Sequence, residues 1–177
     1  MRMEIAVFGG GCFWCLEAVF KEIKGVQSVM PGYAGGDQDF PNEFEVHSGF
    51  TGHAEVLRIE FDPSTISYSD LLDIFWSIHN PTSLNRQGND IGPEYRSIIL
   101  YTSESQKDEI NKSIKLLKES KKYKEPILTE VAPLDKFYDT EEYHQNYFEN
   151  HKDEPYCQLM ILPKLQKFKE EFKEKVK

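Results

Sequence analysis
The chain has 177 residues, of which 39% are hydrophobic and 13% aromatic, enough for one domain with a real core and too apolar for disorder. A formal net charge of −9 excludes the basic face that nucleic acid or an anionic membrane requires, and no stretch reaches transmembrane length. Three cysteines are too few for a secreted disulfide framework, and Met1 to Ile5 lacks the pattern of a secretory signal, so a reducing compartment, the cytoplasm, is expected.

A short apolar run, Ile5 to Phe8, predicts the first strand, and Leu16, Val19, Phe20 and Ile23 recur at the spacing of a helix. Between them stands Gly9-Gly10-Gly11-Cys12-Phe13-Trp14-Cys15, a tight turn opening a helix. A thiol there is expected to lie near unpaired N–H groups and the positive end of the helix dipole, which favour thiolate over thiol. Cys12 is therefore the candidate nucleophile, and Cys15, one helical turn along, is a candidate to attack whatever Cys12 becomes. Trp14 stands where a G-x-G-x-x-G fingerprint needs glycine and no Lys-Ser/Thr pair completes a P-loop, so phosphate binding is not expected.

Gly25 is expected to cap this helix, and Val26 to Ala34 reads as a second strand that Pro31-Gly32 bends or ends, giving a compact βαβ unit. Gly35 to Thr51 shows no period and reads as a surface loop beside the reactive turn. Ala54 to Phe61 alternates, with Glu55, Arg58 and Glu60 between apolar residues, which makes a third strand. By the general exposure of glutamate, Glu55 would face outward. Ser67 to Asp70 starts a helix that runs through Ile78 and is stopped by Pro81. Thr82 to Glu94 reads as loop, Tyr95 to Tyr101 as a fourth strand, Ser103 to Lys118 as an amphipathic helix and Ile127 to Val131 as an edge strand.

Thr140 is a plausible N-cap for a short helix to about Asn150, and Leu165, Phe168 and Phe172 carry a helix in the tail from Leu162. Cys157 falls between these helices in Asp153 to Cys157, which reads as a mobile surface connection. The order βαββαβ followed by helices predicts an α+β fold, a ferredoxin-like two-layer sandwich with additional C-terminal helices, as a single domain over residues 1–177.

The blocks GGGCFWC at 9–15, GYAGG at 32–36, TGHAE at 51–55, RQGNDIGPEYRS at 86–97 and EEYHQNYF at 141–148 together resemble the peptide methionine sulfoxide reductases of the A type, which act on the S epimer. The resemblance covers nearly the whole chain. It implies that Cys12 attacks the sulfoxide sulfur and that Phe13 and Trp14 wall the substrate methyl. It implies that Glu55 is the acid that protonates the departing oxygen, which leaves poorly without a proton. Asp90 and Tyr95 match polar positions of the family site, the tyrosine hydroxyl donating to the sulfoxide oxygen. The sequence departs from the family at one point: a second tyrosine is usual two residues before Glu45-Val46, where Glu43 stands, and the nearest aromatic, Phe44, has no hydroxyl.

The implied cycle leaves a sulfenic acid on Cys12, which a second cysteine condenses to a disulfide and an external dithiol of thioredoxin type reduces. Cys157 and Cys15 are both candidates for that second cysteine. The resemblance places a recycling cysteine at Tyr156-Cys157, and a flexible segment there favours Cys157 over the helix-bound Cys15. The expected substrate is methionine S-sulfoxide, free or in peptides and proteins, with no nucleic acid or membrane partner. No metal or organic cofactor is expected, since one C-x-x-C without a second close pair does not make a zinc site of His47, His53 and the cysteines. His53 and His144 receive no catalytic role. The alternative function is a general thiol–disulfide oxidoreductase, since C-x-x-C at a helix start is also the thioredoxin arrangement, but disulfide exchange explains neither Trp14 nor TGHAE.

Overall fold
The structure, a computed structural model, describes residues 2–177. Strands β1 (Glu4–Gly9), β2 (Val26–Ala34), β3 (Ala54–Phe61) and β6 (Ile98–Tyr101) form the centre of a mixed sheet, which β7 (Glu130–Pro133) and β8 (Phe137–Asp139) extend at its edges. The order is β7-β6-β1-β3-β2-β8, antiparallel except for the β6–β7 pair. The chain is thus α+β, as expected. The first strand, helix and second strand are not a compact unit, because β3 inserts between β1 and β2. Pro31 does not end β2; it pairs in register with Leu57, and its carbonyl, which it retains, accepts from the Thr140 N–H at 3.1 Å.

Helices α1 (Phe13–Phe20), α3 (Tyr68–Ile78) and α6 (Leu162–Glu171) bury the main core against one face of the sheet. Ala6 and Phe8 of β1 meet Leu57, Ile59 and Phe61 of β3 there, while Val7, Ala54, Val56 and Ile98 pack on the opposite face beneath Leu134 and Phe137. Both faces are covered, so the alternation along β3 does not divide inside from outside. Glu55 lies in phase with Leu57 and Ile59 and turns toward α1, contrary to the outward position expected from exposure alone.

Several local readings are corrected. Residues 35–51 are not all loop: α2 (Glu43–His47) starts in a capping box, Asn42 accepting from the Glu45 N–H while Glu45 accepts from the Asn42 N–H. The segment 82–94 contains a small hairpin, β4 (Arg86–Gln87) with β5 (Asp90–Ile91). Tyr95 closes a 3₁₀ turn, Pro93–Tyr95, instead of opening β6, because Pro93 sets that turn. The edge strand begins at Glu130, not Ile127, after α4 (Glu104–Glu119). Left-handed Asn146 (φ 56°) splits the predicted 140–150 helix into a 3₁₀ turn, Glu142–His144, and α5 (Tyr147–Asn150). Gly25 (φ 88°) turns the chain into β2, five residues after α1 has ended.

Candidate active site
Gly11 takes φ 86°, a conformation that favours glycine, and donates its N–H to the Tyr95 carbonyl at 3.1 Å. The turn delivers Cys12 as the N-cap of α1. Its side chain is buried with Phe13, Tyr33 and Val46, and Trp14, Tyr95 and Tyr156 complete the pocket as half-buried walls. A second glycine permits a close backbone approach: a Cβ at Gly36 would lie 2.3 Å from the His53 backbone nitrogen. The Gly36 N–H donates to His53 Nδ1 at 3.1 Å, and His53 Nε2 donates to the Gln38 carbonyl at 2.7 Å, so that imidazole ties down a loop.

Glu55 reaches this turn from β3. Its Oε2 accepts the Phe13 N–H at 3.1 Å, and its Oε1 lies 2.9 Å from His47 Nε2. Burial pushes the carboxyl up from its ordinary value, while His47 and the Phe13 N–H pull the other way. Burial pushes the Tyr95 hydroxyl up from its ordinary value, and the nearby Glu55, Cys12, Asp90 and Glu94 add to it. Asp90 Oδ2 accepts from the Tyr156 hydroxyl at 2.8 Å, and that hydroxyl is 4.0 Å from Cys15 Sγ.

Trp14 is fixed on three sides. It stacks on Tyr147 with ring centroids 3.5 Å apart and an interplanar angle of 2°, meets Tyr156 edge-on at 5.6 Å, and donates its indole N–H to His144 Nδ1 at 3.0 Å. With Nδ1 an acceptor, the His144 proton sits on Nε2, which lies 2.9 Å from Glu43 Oε1 but off the direction of a good hydrogen bond. Glu43 also accepts from the Tyr143 hydroxyl. The carboxylate at the site of the missing tyrosine is therefore engaged behind Trp14.

Two expectations fail here. Cys12 is not poised as a thiolate at rest: burial pushes its thiol well up, Glu55 and Cys15 add to this, and the Trp14 N–H and Tyr156 hydroxyl offset only part of it. The partial charge at the start of an eight-residue helix is smaller than the cost of removing a thiolate from water. Cys157 is not on a surface connection either. It opens a π-helical turn, Cys157–Ile161, and is fully buried against Cys15, Ala18 and Ile161. Cys15 consequently neighbours both other thiols, acting electrostatically on Cys12 and on Cys157, and all three cysteines are free.

The structure thus brings together Cys12, Phe13, Trp14, Glu55 and Tyr95, with Asp90 joined through Tyr156. Sequence reasoning missed Tyr156 and His47 as site residues. The signal for the first was its place beside Cys157, and for the second the Asn42/Glu45 capping box that makes a helix of α2. Among the described residues, no group of three or more His, Cys, Asp or Glu side chains is arranged to hold a metal ion, and no helix is long and apolar enough to cross a membrane.

Residues 4–176 match the family model described as peptide methionine sulfoxide reductase. The peptide methionine sulfoxide reductase MsrA of Nautilia profundicola is 54% identical over 166 residues, covering 94% of both chains. The enzyme of the same name from Sulfolobus acidocaldarius is 53% identical, covering 98% of this chain and 97% of its own. Among solved structures, reduced Mxr1 from Saccharomyces cerevisiae superimposes with a TM-score of 0.82 at 31% identity, over 88% of this chain and 90% of that one.

Proposed function
The chain belongs to the peptide methionine sulfoxide reductase family and is an oxidoreductase that reduces methionine sulfoxide with thiols; from that premise we propose how its own residues do so, on the S epimer. The observation that carries the reading is the Phe13 N–H to Glu55 contact at 3.1 Å, which sets a buried carboxyl beside the Cys12 thiol. The sulfoxide methyl lies against Phe13 and Trp14, and its oxygen toward Glu55 and Tyr95. Cys12 sulfur attacks the sulfoxide sulfur, the carboxyl proton passes to the oxygen, and the thiol proton replaces it on the carboxylate. The S–O bond then breaks as the hydroxyl passes from the substrate sulfur to the Cys12 sulfur, and the bond between the two sulfurs breaks with it, so that methionine leaves and Cys12 carries S–OH.

A thiol that is protonated at rest suits this sequence, because the base that accepts its proton arises only when Glu55 has given up its own. Tyr156 supplies the second hydroxyl that Glu43 cannot, held toward the thiols by Asp90. For regeneration, Cys15 takes the sulfenic sulfur first, releasing water and forming Cys12–Cys15. Cys157 then attacks Cys15, which frees Cys12 and leaves Cys15–Cys157 for an external dithiol of thioredoxin type. This order replaces the preference for Cys157, because its burial beside Cys15 removes the reason for it.

We read the strand order β6-β1-β3-β2 as a ferredoxin-like centre, the whole of 1–177 as one reductase domain, and the free thiols as suited to the cytoplasm. The test is a single turnover of a peptide carrying each methionine sulfoxide epimer, without reductant and with the resolving cysteines replaced by serine. One equivalent of methionine from the S epimer, with one oxygen added at Cys12 by mass spectrometry, is expected. Reduction of the R epimer alone, or oxidation elsewhere, overturns the assignment.

A further inference from the structure
Glu55 has both carboxyl oxygens engaged. Oε2 accepts a backbone N–H, so an acid proton on Glu55 belongs on Oε1, and Oε1 is the atom 2.9 Å from His47 Nε2. The two side chains differ in access: 3% of the Glu55 side chain is exposed against 36% of His47. The buried carboxyl therefore meets solvent through an imidazole that stands in the rim. His47 comes from the last turn of α2, a helix whose capping box fixes where the ring falls, and the ring lies 6.1 Å from that of Tyr95.

We propose that Glu55 and His47 hold one proton in common, His47 loading and storing from solvent the proton that Glu55 delivers to the sulfoxide oxygen. His47 is a positioning residue, acting on the reaction only through Glu55, and the proposal rests on the reading of Glu55 as the acid. The transfers balance. With the proton on His47, Nε2–H returns it to Oε1; Glu55 passes it to the oxygen as the S–O bond breaks; the Cys12 thiol proton then refills the pair, and the exposed side of the imidazole exchanges with water between turnovers.

The surroundings favour the same arrangement. The hydrogen bond to Glu55 raises the proton affinity of His47 above that of an ordinary histidine against the opposing effect of burial, and the charges of Glu55, of Glu43 from α2 and of Glu94 from the turn before β6 add to it. Asp90, from β5, faces Glu55 and holds its carboxyl up, as burial does. Asp90 disfavours loss of the last proton from the carboxyl, and His47, with 36% of its side chain exposed, joins that carboxyl to water.

With Glu55 ionised, the last proton of the pair rests on an imidazole 2.9 Å from the carboxylate that raises its proton affinity, whereas a lone carboxyl must hold the proton itself, so the pair keeps it to higher pH. In single-turnover reduction of an S-sulfoxide peptide, the alkaline limb of the rate–pH profile is expected to move at least one unit toward acid in His47→Gln. An unchanged limb overturns the proposal. Glu55→Gln separates the two readings: if its single-turnover rate equals that of the parent, the acid assignment fails and the proposal with it, whereas a slow Glu55→Gln with an unmoved limb in His47→Gln overturns the proposal alone. Should His47→Gln not fold, titration of the His47 ring by NMR decides, since its pKa is expected above the ordinary histidine value in the parent and at least one unit lower in Glu55→Gln. Equal values in the two proteins overturn the shared proton.

Discussion

The backbone N–H of Phe13, at the start of α1, donates to Oε2 of Glu55 at 3.1 Å, joining the residue after Cys12 to a carboxyl 42 positions away on β3. Carboxyl and thiol are thus tied through one backbone hydrogen bond instead of through two independent side-chain rotamers. Glu55→Gln keeps an acceptor for that N–H but has no acidic proton, so the reductase step should slow by about a hundredfold or more with substrate binding changed little. Single-turnover rates over a range of peptide concentrations check both halves, and a parent-like rate would remove Glu55 from the chemistry. Cys12→Ser should have no detectable reductase activity.

The order of the thiols predicts distinct thiol counts after one turnover without reductant. Cys157→Ser should lose two thiols, because Cys15 still closes on the Cys12 sulfenic acid. Cys15→Ser should lose one at first, because Cys157 packs with Cys15 and not in the Cys12 cluster. Equal loss of two in both variants would mean that Cys157 reaches Cys12 directly. The doubly substituted protein, Cys15→Ser with Cys157→Ser, should stop after one equivalent of methionine when thioredoxin is the reductant.

Removing a single hydroxyl discriminates between Tyr95 and Tyr156 of the pocket. Tyr156→Phe breaks the 2.8 Å hydrogen bond to Asp90, and Tyr95→Phe removes the hydroxyl of a residue packed against the Cys12 cluster. Each should cut the first-turnover rate about tenfold, on the order of 1.4 kcal/mol of barrier. Tyr156→Phe should in addition slow disulfide formation, since its hydroxyl also lies 4.0 Å from Cys15 Sγ. Rapid-quench measurement of methionine and of thiols separates the two steps.

His79 lies beneath the glycine turn, stacked on Phe75 at 3.9 Å, with Nδ1 donating to the Phe75 carbonyl at 2.6 Å and Nε2 accepting from Ser97 at 2.7 Å. Burial lowers its pKa to about 3. The unfolded chain therefore binds a proton at this residue between about pH 3 and 6.5 that the folded chain does not. Its contribution to stability is complete above about pH 6.5 and declines as pH falls, by about 1.4 kcal/mol per unit. Urea midpoints across pH 4–7 for the parent and His79→Gln should show a shallower acid decline in the variant; parallel curves would contradict this assignment.

Much of this protein was legible in its sequence. Periodicity located β1, β2, β3, α3 and α4 because strand and helix repeats are local, and Ser67 and Ser103 stand at N-cap positions that short-range hydrogen bonds reward. The strings that make up the candidate site were legible too, since the glycine turn, the C-x-x-C and the TGHAE block are each contiguous.

What the tertiary structure alone decided is which groups are taken out of water and beside what. Glu55 turns inward because both faces of β3 are covered by segments distant in sequence, which its own alternation could not announce. Burial among Phe13, Tyr33 and Val46 pushes the Cys12 thiol up where the local helix start argued for thiolate. Cys157, in a stretch rich in charged residues, is buried because α1 and the 156–161 turn close over it. Proton affinity and thiol access are set by desolvation, a sum over neighbours from the whole chain, whereas the pattern of strands and helices is set by residues two to four apart.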